Sequence, residues 1–384
     1  MIGITFQPMT SGRRHTHVSG SQNSPIKRRV EMRFQTIRRV SVVAIALVVL
    51  GCGSAGQATS GPSVSPTGLA MASATPSPEP SKAVATASAA LSSPTPIRVA
   101  SIPVEPALEL VWDAKGPSPT VLGDAVKPVQ DPSGRIWAAA SSADLFWVIG
   151  VDGKSVDTWG TPGRAPGQLN LHGGDGGWGA AAFRSDGGYY VADSGNDRVQ
   201  QFDQGGTFIR TWGSFGTSDG QFTLPIDIAT DGADNVYVLS DTRRDIQRFS
   251  PTGNFERLVT GDVGPYFAVA KDGTVYAAHN GATPQIWIFA PDGSWRSILD
   301  LQDLVHFVTG IALTPSGKIL VASSSNGGSS FVYEDLIEID TGGHALHRWP
   351  TGGEGIDVSG DGTMLYVTNL KVGPGVRAYA LPSD

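Results

Sequence analysis

A pattern of apolar and polar positions repeats along the chain from about residue 105 onward. Each unit reads as an apolar strand, a glycine-containing turn, a second strand centred on a large side chain, a polar loop, a third strand and a second glycine turn, often followed by Trp-Gly. The central residues of the second strands, which lie 53, 47, 39, 44 and 46 residues apart, are Trp137, Tyr190, Tyr237, Tyr276, Leu320 and Tyr366. Because four short strands in roughly 40–50 residues make one propeller blade, the pattern predicts an all-β, six-bladed β-propeller of four-stranded blades over residues 105–384.

The two ends of the repeating region complement each other. The last unit supplies three strands, in GIDVS, MLYVTN and GVRAYALP, with no fourth strand after them. Upstream of the first unit, Leu108–Trp112 reads as a strand without a partner of its own. Pairing this strand into the last blade would close the ring and remove its exposed edges. We therefore expect an N-terminal strand to close the last blade.

The repeats also carry a recognisable motif. One unit reads GQFTLPIDIATDGADNVYVLSD from residue 220, and another reads NDRVQQFD from residue 196 and ends in TWG at residue 213. These segments resemble the NHL repeat. The resemblance implies a propeller, but a fold does not by itself specify an activity.

The segment before the repeats has the layout of a bacterial export signal. After Met32 come a short basic stretch, an apolar run of eleven residues from Val40 to Leu50, and the pair Gly51-Cys52. That run is shorter than the ~20 residues of a membrane-spanning helix. The sequence VLGC resembles the lipobox of bacterial lipoproteins, so we expect residues 1–51 to be an N-terminal extension and signal peptide and Cys52 to carry the lipid. The alternative is a free cysteine at an ordinary cleavage site.

Residues 52–104 consist mostly of Ser, Thr, Ala and Pro, with few large apolar side chains. Such a segment buries too little surface to offset its ordering entropy. It is predicted to be a disordered linker that separates the propeller from a membrane. The expected location is the bacterial cell envelope, with the domain facing the periplasm or the cell exterior.

Charge and cysteine content exclude several classes of function. Residues 1–51 contain eight basic residues and one acidic residue, which leaves 20 basic and 34 acidic residues in the remainder. An acidic domain repels phosphate backbones, so we expect no nucleic-acid partner. The single cysteine excludes internal disulfides and CxxC metal or redox sites. We expect a monomer that contacts the membrane through its lipid anchor.

Aligned repeats indicate where polar side chains could surround the channel. The residues that open the inner strands are mostly apolar, and Glu354 is the ionisable one. The position three residues after each central side chain is more polar. The two positions, together with Asp241, which directly follows the second position in one blade, give a candidate ligand or cation site of Asp193, Asp241, His279, Glu354 and Asn369. The alternative for the aspartates is a scaffold role, with Asp193 paired to Arg198 and Asp241 to Arg243 or Arg244.

Three classes of function remain. The first is a module that binds an extracytoplasmic protein, peptide or glycan. The second is a metal-dependent enzyme, since NHL-like propellers resemble lyases and gluconolactonases that use His or carboxylate groups around the channel. The third is a sensor that acts through a partner. No cofactor is predicted and the metal ligands are unspecified, although the Asp and Asn residues are compatible with a structural Ca²⁺.

Overall fold

The structure is a computed structural model that describes residues 93–115, 127–173, 176–177, 179–325, 333–368 and 375–383. The chain divides into two units, Met1–Lys82 and Ala83–Asp384, and every described residue belongs to the second. Cys52, Asn369, the predicted signal peptide and most of the predicted linker lie outside the described residues. Within the described part of the chain, no helix is long and apolar enough to cross a membrane.

The described residues form short β-strands and two single turns of 3-10 helix. The turns are η1 (Ser141–Ala143) and η2 (Ser194–Asn196). In chain order the strands are β1 (Ile97–Arg98), β2 (Leu110–Lys115), β3 (Val129–Gln130), β4 (Ile136–Ala140), β5 (Leu145–Ile149), β6 (Ser155–Trp159), β7 (His172–Gly173), β8 (Gly176–Gly177), β9 (Ala180–Phe183), β10 (Tyr189–Asp193), β11 (Arg198–Phe202), β12 (Phe208–Trp212), β13 (Pro225–Thr230), β14 (Val236–Ser240), β15 (Asp245–Phe249), β16 (Phe255–Thr260), β17 (Phe267–Val269), β18 (Val275–Asn280), β19 (Pro284–Phe289), β20 (Trp295–Asp300), β21 (Phe307–Leu313), β22 (Ile319–Ser324), β23 (Tyr333–Ile339), β24 (Ala345–Trp349), β25 (Gly355–Val358), β26 (Met364–Thr368) and β27 (Gly375–Ala380).

These strands make six antiparallel blades. Blade 1 is β3–β6, blade 2 is β9–β12, blade 3 is β13–β16, blade 4 is β17–β20, blade 5 is β21–β24, and blade 6 is β25–β27 with β2 at its outer edge. The first strands of successive blades contact each other and therefore surround the central axis. We call the face with the turns between first and second strands the lower face, and the opposite face the upper face. The prediction of a six-bladed propeller is confirmed.

The alternation of side chains explains why the blades pack. All six predicted central residues lie on second strands and are at most 7% exposed. Apolar side chains from facing sheets form the clusters between blades, as around Trp137, Tyr190 and Tyr237. Burying one such aromatic contributes on the order of 2–3 kcal/mol. The blade interfaces therefore hold the ring together.

The N-terminal strand closes the ring, as predicted. β2 pairs antiparallel with β27, with Trp112 opposite Ala378 and Lys115 opposite Gly375. The strand covers Leu110–Lys115 rather than Leu108–Trp112, because its bonded residues extend beyond the apolar run that marked it in the sequence. Trp112 stacks on Tyr366, with 6.0 Å between ring centroids, and its Nε1 donates to Val151 O at 3.0 Å. This seam therefore links blades 6 and 1 through side chains.

The last residues of the predicted linker lie against the outside of the ring. β1 pairs in parallel with β20 as a fifth strand of blade 4, and Val99 is fully buried. Glu105 N donates to Arg348 O of blade 5 at 2.7 Å before the chain reaches blade 6. The segment from β1 to β2 thus contacts three consecutive blades. The segment contains few apolar residues, so its amino-acid composition alone did not predict an ordered structure.

Candidate functional site

The lower half of the central channel is open because small side chains recur there. The pairing of first and second strands makes six positions equivalent: Val129, Ala182, Ala229, Ala268, Ala312 and Asp357. Four alanines leave a cavity of about 360 Å³, which continues into a lower mouth of about 860 Å³. The upper part of the channel narrows to about 20 Å³. The described part of the channel therefore contains a bowl that opens on the lower face.

Lys127 closes the inner end of this bowl. Its ammonium group lies 3.5 Å from Asp227 Oδ2 and 3.2 Å from Phe267 O, so the side chain crosses from blade 1 to blades 3 and 4. The ammonium also lies 5.5 Å from the centre of the Phe267 ring. Asp227 is only 5% exposed, and burial raises its pKa, while Lys127 acts in the opposite direction. Burying the two charges costs desolvation energy, and their attraction to each other and their further hydrogen bonds offset that cost.

Asp357 is the ionisable group that faces the lower cavity from blade 6. Its Oδ2 accepts a hydrogen bond from Gln130 N at 3.0 Å, which ties blade 6 to blade 1. Burial in the channel raises the pKa of Asp357 to about 6, the charge of Lys127 lowers it, and the charge of Asp227 raises it slightly. Part of the side chain still contacts the cavity. The pKa of Asp357 is therefore raised above that of an exposed aspartate.

The lower mouth has an excess of acidic groups. It is lined by Asp131, Asp231, Asp234, Asp357 and Asp361, against the basic residues Arg184 and Lys271. Several of these carboxylates also order the turns, since Asp131 Oδ1 accepts from Ser133 N and Asp231 Oδ1 accepts from Ala233 N, both at 2.9 Å. Their charge nevertheless acts on the mouth at short range. Two of the five are ion-paired with arginines, Asp131 with Arg135 at 2.7 Å and Asp231 with Arg248 at 3.9 Å.

Asp193 and Arg198 lie together at the upper end of blade 2. Arg198 Nε is 2.7 Å from Asp193 Oδ2, and the guanidinium also donates to the carbonyl groups of Arg164, Ala165 and Gln168. Asp193 also accepts from Asn170 N and from the side chains of Asn196 and Gln200. It is fully buried, and burial raises its pKa more than these donors lower it. All of these contacts join neighbouring loops of the scaffold.

Asp241 begins the corresponding loop of blade 3, where the charges are arranged differently. Arg243 Nη2 lies 2.7 Å from Asp245 Oδ2, so its ion pair is with Asp245 rather than with Asp241. The strand pairing places Asp245 opposite Ser240, as Arg198 is opposite Asp193 in blade 2. The Asp-to-Arg spacing in the sequence therefore does not give the same pairing in both blades.

His279 and Glu354 lie in two other blades. His279 stacks on Trp287, with 4.0 Å between ring centroids, and its Nδ1 is 3.0 Å from Asp262 O. Glu354 is 8% exposed, and its charge adds to the burial that raises the pKa of Tyr266. The described channel cavities are lined by residues other than Asp193, Asp241, His279 and Glu354. Asn369, the fifth candidate, lies outside the described residues.

The side chains that could bind a metal ion are dispersed over the described residues. In the ranges that the structure describes, no group of three or more His, Cys, Asp or Glu side chains is arranged to hold a metal ion. Lys127 and Asp227 contact each other directly instead. The Asp and Asn residues noted as compatible with Ca²⁺ are therefore not part of such a group within those ranges.

The sequence comparisons concern one blade. Residues 178–202 match the NHL repeat. This segment supplies β9, β10 and β11, the first three strands of blade 2. No curated protein sequence matches the chain. The chain is therefore an all-β propeller that contains an NHL repeat.

Solved structures with the same architecture include enzymes and a WD40 domain. A gluconolactonase from Xanthomonas campestris is 13% identical, with a TM-score of 0.49 over 73% of this chain and 99% of that one. A streptogramin B lyase is 10% identical, with a TM-score of 0.48 over 71% and 97%. The WD40 domain of Neurospora crassa Pan2 is 11% identical, with a TM-score of 0.48 over 72% and 95%. At these identities the similarity concerns the fold alone.

Sequence reasoning did not identify the channel residues Lys127, Asp227 and Asp357. Two of them break the repeat in a way that is visible once the strands are aligned. Asp357 occupies a position that holds Ala in four blades, and Asp227 is equivalent to Ala180, Gly310 and Gly355. A charged residue where the repeat has a small one is the signal that would have found them.

Proposed function

We propose that this chain is a lipid-anchored, extracytoplasmic binding module that holds a protein, peptide or glycan at the lower mouth of its propeller. The preformed cavity on the lower face carries the proposal. It combines an opening of about 860 Å³ with a narrower inner cavity of about 360 Å³. Concave sites with a few convergent polar groups are where proteins usually bind ligands. The acidic excess at the mouth favours a neutral or cationic ligand.

The contacts and positions of the ionisable side chains favour a binding site over a catalytic one. The ammonium of Lys127 is engaged by Asp227 and by a backbone carbonyl at the inner end of the bowl. His279 and Glu354, which a channel enzyme would use, lie away from the lower cavity. Asp357 faces that cavity and can serve as a hydrogen-bond partner for a bound ligand.

Hydrogen–deuterium exchange of the full chain, with and without cell-envelope extract separated into protein, peptide and polysaccharide fractions, tests the proposed site. Binding at the lower mouth should slow exchange in the lower turns at residues 131–135 and 231–235. Protection confined to the upper loops at residues 194–197 and 241–244 would contradict the proposal. Chemical conversion of the bound fraction, followed by mass spectrometry, would show an enzyme instead.

Metabolic labelling with an alkyne-bearing fatty acid in a lipoprotein-processing bacterial host tests the anchor. The full chain should incorporate the label and remain with the membrane fraction, whereas Cys52→Ser should do neither. An unlabelled wild-type chain would refute lipid anchoring. The binding measurement is independent of this result.

A further inference from the structure

A second cavity, the aromatic crevice, opens on the lower face between blades 1 and 2. Its volume is about 160 Å³, and its interior is lined by the aromatic side chains of Trp137, Trp159, Phe183 and Tyr189. One water molecule needs roughly 10–15 Å³ of such a cavity, so the crevice has room for on the order of ten water-sized atoms. One sugar ring has a similar number of non-hydrogen atoms. It shares the turn of Asp131 with the lower mouth, so the two cavities adjoin.

At the junctions between blades 2 and 3 and between blades 3 and 4, an arginine side chain spans the position where the crevice opens between blades 1 and 2. Between blades 2 and 3, Arg210 Nη1 donates to Thr252 O at 3.2 Å. Between blades 3 and 4, Arg257 Nη1 donates to Pro291 O at 3.0 Å. The strand pairing shows that the equivalent residue between blades 1 and 2 is Asp157, an acceptor that cannot donate to the facing carbonyl. Asp157 lies on the rim of the crevice instead.

Tyr189 is a second departure from the repeat. The equivalent position holds an aliphatic residue in the other blades, namely Ile136, Val236, Val275, Ile319 and Leu365. Tyr189 is 3% exposed, yet its hydroxyl has no hydrogen-bond partner among the described residues. The neighbouring Tyr190, by contrast, donates to Pro251 O at 2.9 Å. The Tyr189 oxygen is not among the enclosed polar atoms of the described residues, so it is accessible from the crevice.

The Nε1 of Trp159 is a second donor at the crevice with no hydrogen-bond partner within the described ranges. Trp212 Nε1, at the equivalent position between blades 2 and 3, also lacks a partner in those ranges but is buried, so Tyr189 is what distinguishes the crevice. Both donors lie beside the turn at Gly206, where a Cβ atom would be 2.9 Å from Trp159 Nε1 and 3.3 Å from the Tyr189 hydroxyl. Arg135 and Gln204 stand on the rim with Asp157. The crevice thus offers two converging donors, aromatic walls and a rim that can both donate and accept.

We propose that the aromatic crevice binds one pyranose ring of a neutral or amino-sugar glycan. The apolar C–H face of the sugar packs on the exposed part of Trp159, and a sugar oxygen accepts from Trp159 and Tyr189. The rim groups contact the neighbouring hydroxyls. This inference rests on the proposed function and names its ligand class, since the crevice adjoins the lower mouth. An acidic sugar is disfavoured by Asp157 and by the acidic mouth.

The test is an array of neutral, amino and acidic oligosaccharides probed with the full chain, followed by calorimetric titration of the tightest binder. Tyr189→Phe removes only the hydroxyl group and should weaken binding about three- to tenfold, the value of one hydrogen bond. Tyr190→Phe is the matched control in the adjacent junction and should leave the affinity unchanged, although it loses the bond to Pro251.

A second pair of variants separates blocking from backbone strain. Gly206→Ala adds a methyl group over both donors, whereas Gly293→Ala adds one at the equivalent turn of blade 4, where no atom lies closer than 3.6 Å. Both glycines have a φ of 84°, so Gly293→Ala reproduces the backbone strain without the contact to Trp159. Gly206→Ala should abolish binding and Gly293→Ala should leave it unchanged, and thermal unfolding of both variants shows whether the Gly206→Ala chain is still folded. No binding to any neutral or amino sugar, or equal binding by Tyr189→Phe, would overturn the inference. Exchange protection of the lower turns by a protein fraction would then still support the proposed function.

Discussion

Trp112 offers a direct test of how the ring closes. In Trp112→Ala, the chain loses the stack on Tyr366 and the hydrogen bond to Val151 O. The bond contributes about 0.5–1.5 kcal/mol and the aromatic pair another ~0.5–1.5 kcal/mol. Full burial would set the cost of truncating Trp to Ala at about 3–5 kcal/mol, and Trp112 is half-buried. We expect a destabilisation of about 3 kcal/mol.

Thermal unfolding of the full chain, followed by circular dichroism, measures the effect. In a domain of this size ~1 kcal/mol shifts Tm by about 2–4 °C, so we expect a decrease of about 6–12 °C. Val111→Ala is the matched control, because Val111 precedes Trp112 in the same strand and is 51% exposed. It should cost no more than about 0.5 kcal/mol. Equal Tm values for the two variants would refute a seam held by Trp112.

Three further predictions concern buried charges. Lys127→Met leaves Asp227 buried without its counter-ion and should cost about 3–5 kcal/mol, most of which Lys127→Met/Asp227→Asn should restore in urea unfolding. Asp357→Asn should flatten the pH dependence of stability. Burial raises the pKa of Asp357 to about 6, above the ~3.9 of an unfolded Asp, so the native state binds more protons than the unfolded state between these values. The free energy of unfolding of the wild-type chain should therefore fall as pH rises from ~4 to ~6. Asp193→Asn should cost about 3 kcal/mol in the same assay, because it leaves the charge of Arg198 uncompensated.

Each prediction has an outcome that would contradict it. A double variant no more stable than Lys127→Met alone would mean that the lysine acts through something other than Asp227. A wild-type chain whose stability rises between pH 4 and 6, with the same profile in Asp357→Asn, would place the titration elsewhere. A loss below ~1 kcal/mol in Asp193→Asn would show that the carbonyl contacts of Arg198 suffice without the carboxylate.

The repeat made the fold predictable, because each blade shows the same local pattern. Aligning the central side chains from Trp137 to Tyr366 located every second strand, and the strand missing from the last unit indicated the seam. These inferences depend on local periodicity and on the need to cover sheet edges. β1 was missed because a two-residue strand contains no period, and its pairing with β20 depends on tertiary contact.

The site was less predictable, because its residues meet across the ring. Lys127 and Asp227 are a hundred residues apart and contact each other only after three blades are placed. Counting three residues from each central side chain selected the upper ends of second strands, which carry Asp193 and its scaffold contacts. Departures from the repeat, such as Asp157 and Tyr189, were the more informative signal, since a shared scaffold does not require them.

The segment that wraps the outside of blades 4–6 also has a mechanical consequence. Tension on the N-terminal residues reaches β1 before it reaches β2, and β1 is held by strand pairing and by the two-point contact of Arg98 with Asp303, at 2.6 Å each. β1 contributes two paired residues to blade 4, whereas β2 contributes five to its pairing with β27. A pulling force applied on the N-terminal side of β1 would therefore load the shorter pairing before it reached the seam that closes the ring.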